Sequence, residues 1–437
     1  MAKITITTAV VLIFFLLLEL AGIYLASPLN CTDRKIYIRR LPIRYNKVLA
    51  VSCSRYSPLT INLCPYLHNS GLGPKVHDRF RSWHRTHHHL IEKFFHRRVQ
   101  DYPCLIGDPK QANAIFLPYY VGLDSLRFLY GDGWNSSVQH GMDLFNYLLK
   151  NNAEIWRRNG GSDHFLISGR SSWDFSRPKM KLDWGTSFLE LPEFFNVTVL
   201  TPESRRWSWQ EQAIPYMTSF HPKNVAEFYK WVNMTEKMDR TSLMLFVKSS
   251  TDVDSSDEDV ADILSQKILK ECRTNFGLCT LVDCTGKKCE DEPKSYIHSL
   301  LHSKFCLHPP GISPTTRQIF DGIIAGCIPV FFDEMTSSFQ YKWHLKFPEK
   351  NVDQQLLSTF SVFISEKDVV EETVTVLDVL TKIGEKEVNL MRKELKKRVF
   401  GVMYRSHKAS PELKEMKDAF DLAIDGVFQR IKTRQNH

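Results

Sequence analysis

Short apolar runs alternate with amphipathic stretches along most of this chain. Runs of β-branched and aromatic residues at 36–38, 114–120, 164–168 and 197–200 read as strands, and the helical spacing of apolar positions at 79–95 and 138–158 predicts helices between them. The alternation resumes further on, with strand candidates at 243–247, 279–282, 305–307, 328–332 and 360–364. Strands separated by helices predict parallel βαβ units. The expected fold class is therefore α/β, with two Rossmann-like domains facing across a cleft. Their expected limits are 31–239 and 240–410. A helical tail at 411–437 carries Leu413, Met416, Phe420, Ile424 and Phe428 on one face, suited to packing back on the body.

The N-terminus changes the picture of where this body sits. Residues 4–26 form an almost unbroken apolar run interrupted by Glu19, long enough for a bilayer core of about 30 Å. Residues 1–30 are expected to be a cytosolic tip, an uncleaved transmembrane anchor and a short stem. A cleaved signal peptide is the competing reading, though its apolar region typically runs about 7–15 residues. Lys3 precedes the span while Arg34, Lys35, Arg39 and Arg40 follow it, against a simple positive-inside count. Four sequons at Asn30, Asn135, Asn196 and Asn233, all beyond the span, favour a lumenal body. The ten cysteines agree with an oxidising compartment. Cys272, Cys279, Cys284 and Cys289 lack the C-x2-4-C spacing of zinc sites, so disulfides are expected, in a pairing the spacing leaves open.

Among 437 residues, 43% are hydrophobic and 24% charged, the balance of a globular chain. The net charge of +8 suits an anionic ligand or membrane surface. The charges are spread, with no basic segment interleaved with aromatics, which argues against nucleic acid as a partner.

The most informative tract is 304–332. It reads as a buried strand, a Gly/Pro/Ser/Thr loop, a helix and a second buried strand. That order offers backbone N–H groups and a helix N-terminus to an anion. Gly311 permits close approach, Ser313, Thr315 and Thr316 supply hydroxyls, and Arg317 presents a planar fork to phosphate oxygens. Asp321, one turn after Arg317, suits ribose hydroxyls. The plain alternative is a surface i,i+4 ion pair worth a few tenths of a kcal/mol. Around His84 and His88 the chain reads as an exposed basic helix face rather than a metal site, and no metal is expected. Trp207, Trp209 and Trp231 are candidates to stack on sugar rings or to fill the core.

Specific segments carry a family resemblance: IYIRRLPIRYN at 36–46, AIFLPYYVGLD at 114–124, GGSDHFLISGRSSWDF at 160–175, AIPYMTSFHP at 213–222, the 304–332 tract and QYKWHL at 340–345. The chain resembles the plant members of the exostosin-like glycosyltransferase family 47, within it the xyloglucan galactosyltransferase group. The resemblance implies a GT-B fold in a single-pass type II Golgi membrane protein. It also implies inverting, metal-independent transfer of galactose from UDP-galactose to xylosyl side chains of xyloglucan, without a cofactor. The 31–239 domain becomes the acceptor side and 240–410 the nucleotide-sugar domain. Gly311, Ser313, Thr315, Arg317 and Asp321 become donor-binding residues, with Arg317 on the diphosphate and Asp321 on the ribose. Inversion needs a base from the acceptor side, for which His164, Asp163, Asp174 and Asp124 are candidates, in that order. Glu203 is a further donor-side or acceptor-side candidate. Ile312 and Lys248 stand where relatives carry Asp and Gly. They leave open another UDP-sugar, such as UDP-galacturonic acid or UDP-arabinose, or a catalytically weak member that partners other Golgi glycosyltransferases.

Overall fold

The computed structural model describes residues 30–53, 62–76, 82–129, 134–176, 185–206, 208–248, 260–284, 289, 293–311, 313–345 and 359–435. The apolar run at 4–26, the acidic loop 251–259, Trp207 and Ile312 lie outside these. No helix among the described residues is long and apolar enough to cross a membrane.

The chain divides into two compact units. The first comprises Leu29–Ser219 with Phe339–Trp343 and Phe420–His437. Its sheet runs β2-β1-β3-β4-β5-β6, formed by β1 (Ile36–Ile38), β2 (Leu105–Ile106), β3 (Ala114–Phe116), β4 (His164–Ile167), β5 (Thr198–Thr201) and β6 (Glu211–Ala213). Every neighbouring pair is parallel. A parallel sheet is covered on both faces, and β3 to β6 are buried at every position. That is why β3 and β4 read in sequence as continuous runs. β2 and β6 escaped that reading because Leu105–Ile106 is too short and Glu211–Ala213 is mostly polar.

The helix expected at 79–95 is displaced. Residues 83–87 are extended, tied by bonds from Arg85 N to Pro74 O (2.8 Å) and His84 N to Ser219 O (2.9 Å), and the helix α1 runs Ile91–Gln100. His84 and His87 are buried, not on an exposed basic face. Further along, α2 is Val121–Ser125 and α3 is Trp134–Lys150.

The second unit comprises Phe220–Ser338 and His344–Ala419. Its all-parallel sheet has the order β11-β10-β9-β7-β8, from β7 (Ser242–Lys248), β8 (Cys279–Asp283), β9 (Ser303–His308), β10 (Ile328–Phe331) and β11 (Val362–Phe363). The chain enters this unit at Phe220 rather than at Arg240. The reason is α4 (Val225–Lys237): Trp231 Nε1 donates to Ile324 O at 2.7 Å, and Phe228 packs edge-on against Phe400. Trp231 is thus core, 2% exposed. The longer helices α5 (Val260–Thr274), α6 (Pro293–Leu301), α7 (Arg317–Ile324) and α8 (Glu385–Lys396) belong to the same unit, with several shorter ones. The tail divides as well: residues to Ala419 belong here, while the rest of α9 (Ala419–Gln435) belongs to the first unit, where Phe420 packs on Phe95.

All ten cysteines are paired: Cys31–Cys104, Cys53–Cys64, Cys272–Cys279, Cys284–Cys289 and Cys306–Cys327. The crowded four therefore close two local loops.

Candidate functional site

In a parallel sheet all strands end at one edge, and ligands bind there, where loops and helix N-termini converge. In the second unit β9 ends at His308 and hands the chain through 309–316 to α7. The Thr316 side chain does not cap α7, and no acidic residue lies in its first turn. Ile319 N turns back to Thr316 O at 3.3 Å, and the positive end of the helix dipole lies at Arg317, where an anion is favoured. The loop is fixed from outside, since Thr336 Oγ1 donates to Pro314 O, and inside by Gly311 N to Ser313 O at 3.1 Å. A side chain at Gly311 would meet nothing within 4 Å, so the loop there is open. Thr315 is buried, while Ser313 is partly exposed.

Arg317 Nε donates to Asp321 Oδ2 at 3.1 Å, as the one-turn spacing predicts, but the pair is no surface pair: side-chain exposures are 12% and 3%. Burial pushes the Asp321 carboxyl up, against the opposing pull of Arg317. Three buried polar atoms near this pair have no partner among the described residues: Asp321 Oδ1, His308 Nε2 and Tyr296 Oη. Tyr296, on α6, is close enough for Asp321 and Arg317 to influence its ionisation, although burial dominates. His308 Nε2 lies 3.7 Å from where a Gly322 side chain would begin, and burial holds the ring neutral, down to about 3. Unsatisfied buried groups are rare in folded chains and mark strain or a ligand site. His308 and Tyr296 were missed from sequence. His308 closes an apolar strand and Tyr296 sits in an ordinary amphipathic helix, so only their shared place around Asp321 distinguishes them. Lys248 ends β7, beside β9, at the same edge.

The first unit separates the base candidates. Asp163 and His164 lie at the start of β4, the edge opposite the strand C-termini. Asp163 is 1% exposed and accepts from Arg158 Nε (2.7 Å), Asn159 Nδ2 (2.7 Å) and the ring of His164 (2.6 Å). This is a structural knot that closes the turn before β4, so the first two candidates are corrected to structural roles. The other three reach the C-terminal edge: Asp124 after β3, Asp174 after β4 and Glu203 after β5. Asp174 accepts from Arg170 Nε at 2.7 Å, and Glu203 is fully buried.

Glu92 on α1 holds that edge together. Its Oε1 accepts from Gly122 N (2.5 Å) and Gly169 N (3.1 Å), and its Oε2 from Leu123 N (3.3 Å), joining the loops after β3 and β4. Burial raises its carboxyl to about 8 despite those three donors.

His87, His88 and His89 bring ring nitrogens within 4.8 Å of one another. Backbone groups engage two of the three: His87 Nδ1 accepts from His89 N at 3.3 Å, and His89 Nδ1 donates to Gly169 O at 2.7 Å. Burial, with Arg170 beside it, lowers His89 to about 3. The Arg170 guanidinium beside His89 disfavours a second cation there. Of the other aromatics, Trp209 is exposed, with Arg434 over its ring at 4.9 Å. The sequons at Asn30, Asn196 and Asn233 have exposed asparagines; Asn135 lies on the backbone of α3.

Comparison with known proteins places the chain. The family model described as the exostosin GT47 domain matches residues 30–380. The probable xyloglucan galactosyltransferase GT19 of Arabidopsis thaliana is 49% identical over 93% of this chain and 92% of its own. Xyloglucan galactosyltransferase MUR3 from the same plant is 33% identical over 93% of this chain and 64% of its own. Xyloglucan-specific galacturonosyltransferase 1, also from Arabidopsis, is 33% identical over 93% of this chain and 58% of its own. Among solved structures, the GtfA/B complex aligns at 9% identity with a TM-score of 0.34, covering 78% of this chain and 60% of that one.

Proposed function

Because the chain belongs to the exostosin GT47 family of glycosyltransferases, we propose that it transfers galactose from UDP-galactose to xylosyl side chains of xyloglucan, with inversion to a β linkage. The observation that carries this reading is the group of buried, unpartnered polar atoms, Asp321 Oδ1, His308 Nε2 and Tyr296 Oη, around the N-terminus of α7, with Arg317 in its first turn. In this reading the diphosphate lies on the helix N–H groups and the Arg317 fork, and these cationic groups take the charge a metal would otherwise offset. Asp321 orients Arg317 with one oxygen and offers the other to a ribose hydroxyl. Gly311 and Ser313 line the open loop, and the buried Thr315 supports it. The arrangement proposed is of GT-B type, with the donor on the second unit and the acceptor base from the first.

The proposal places the protein in the Golgi membrane as a single-pass type II protein. Its support is the apolar run at 4–26, the exposed sequon asparagines and the five disulfides, which suit an oxidising lumen. A donor panel tests the reading: UDP-galactose should raise the unfolding temperature of the chain and turn over with xyloglucan oligosaccharides. One observation favours a second donor. Lys248 at the donor edge would pair with the carboxylate of UDP-galacturonic acid, and preference for that donor in the panel would replace galactose in this account.

A further inference from the structure

The strand order of the first unit reverses at one point. From β1 the chain moves outward to β2, then returns to the other side of β1 for β3 and continues to β6. Loops leaving β1 and β3 therefore diverge, and a crevice opens at their C-terminal ends. A cavity of about 310 Å³ lies there, at the small end of the usual range for ligand sites. Its lining comes from the loop after β1 (Arg44, Tyr45), the segment after β3 (Asp124, Arg127) and α3 (His140, Asp143).

We propose that this cavity is the acceptor-branch subsite, which takes the terminal xylose of a xyloglucan side chain, and that Asp124 is the base that deprotonates the attacking hydroxyl. The inference rests on the galactosyl transfer proposed above. The lining is chemically suited to a neutral polyol. Two guanidinium groups and two carboxylates cancel in charge, unlike a phosphate site, while offering donors and acceptors in several directions. Tyr45 and Phe128 line it too, with the Arg44 and Arg127 guanidinium groups held over their rings at 4.8 and 4.9 Å. At the rim Asp143 accepts from Tyr45 Oη at 3.0 Å and from Arg44 Nη2 at 3.2 Å.

Deeper in, Asp124 is 3% exposed. Tyr119 O–H donates to its Oδ2 at 2.6 Å, and Arg127 pairs with its Oδ1. Having given away its one proton, the Tyr119 oxygen accepts from His140 Nδ1–H at 2.9 Å. His140 Nε2 therefore keeps its lone pair, which has no partner among the described residues although the ring is 2% exposed and lines the cavity. The ring is held by stacking on Phe128, with centroids 5.3 Å apart. An acceptor left unpartnered in a lined cavity is a second sign of a missing hydroxyl donor. Burial raises the Asp124 carboxyl above its ordinary range, which makes it a better proton acceptor than an exposed aspartate.

The step balances as follows. The acceptor hydroxyl gives its proton to Asp124, and the freed oxygen pair forms the bond to the anomeric carbon of galactose. The bond from that carbon to the β-phosphate oxygen breaks, and its electron pair leaves on UDP.

The test uses the full chain in detergent with UDP-galactose and a xyloglucan oligosaccharide ending in xylose. Asp124→Asn should lower kcat by ~100-fold or more, with the stabilisation by UDP unchanged. Arg44→Ala and Asp143→Ala, both at the exposed rim, should raise the acceptor KM about tenfold, the loss of roughly one charged hydrogen bond, and leave the KM for UDP-galactose alone. Near-normal turnover by Asp124→Asn, or an unchanged acceptor KM in both rim variants, overturns the assignment. If Asp124→Asn does not fold, the rim variants decide alone. Should the native chain transfer no galactose, the proposed reaction fails separately. The cavity is then judged by saturation-transfer NMR, where xylose proton signals must appear with the native chain and weaken in Asp143→Ala, and their absence from the native chain or equal strength in the variant overturns it.

Discussion

Arg317 and Asp321 meet across one turn of α7 with the guanidinium at the helix start and the carboxylate beneath it, Nε to Oδ2 3.1 Å. The pair fixes a fork at the positive end of the helix dipole, so its worth lies in orientation more than in stability.

Asp321→Asn separates those two contributions. An intact buried pair adds little net stability, but removing one member leaves the Arg317 guanidinium without its counter-charge, so the unfolding free energy should fall by about 3 kcal/mol. The affinity for UDP, read by calorimetry, should fall about tenfold because Arg317 loses its charged anchor.

Arg317→Lys keeps the charge and loses the fork. Transfer should fall by at least ~10-fold, since a lysine acts on phosphate as a point charge rather than a bidentate donor. Steady-state kinetics with UDP-galactose check it, and the circular dichroism of the variant should match that of the native chain.

The strand, loop, helix and strand of 304–332 were legible in the sequence because each part has a local signature. The apolar runs of β9 and β10, the Gly/Pro loop and the one-turn spacing of Arg317 and Asp321 require only short-range rules. The base now proposed, Asp124, was among the four candidates in the sequence but stood last of them. His164 and Asp163 attract notice as adjacent titratable residues, yet which end of a strand faces ligand depends on the direction of the whole sheet. The Asp124–Tyr119–His140 chain was hidden for a related reason, as α3 brings His140 beside Tyr119 only after the helix packs across the sheet. His84 to His89 misled through periodicity, since bonds to Pro74 and Ser219 hold part of the segment extended.

Glu92 gives the first unit a pH-dependent stability. Its carboxyl is raised to about 8 in the folded chain, well above an unfolded glutamate near 4.3, so the folded state holds a proton that the unfolded state releases. The contribution is fully present below the unfolded value and is lost as pH rises through about 8. The unfolding temperature should therefore fall between about pH 5 and pH 8, and Glu92→Gln should flatten that fall. A pH series of thermal melts on both chains measures it.

Cys306 and Cys327 join β9 to the residue before β10, closing the loop and helix between them with a separation of 21 residues. Replacing both by serine should cost about 3 kcal/mol by loop entropy, seen as a lower midpoint in urea. UDP at saturating concentration should recover part of that loss, because it binds the folded tract.

The most direct measurement is product analysis after incubating the full chain with UDP-galactose and a xyloglucan oligosaccharide bearing terminal xylose. The account predicts one added hexose on a xylosyl branch, with a β anomeric proton by NMR and stoichiometric release of UDP. An α linkage, addition to the glucan backbone, or no transfer under conditions where UDP-galactose stabilises the chain would contradict it.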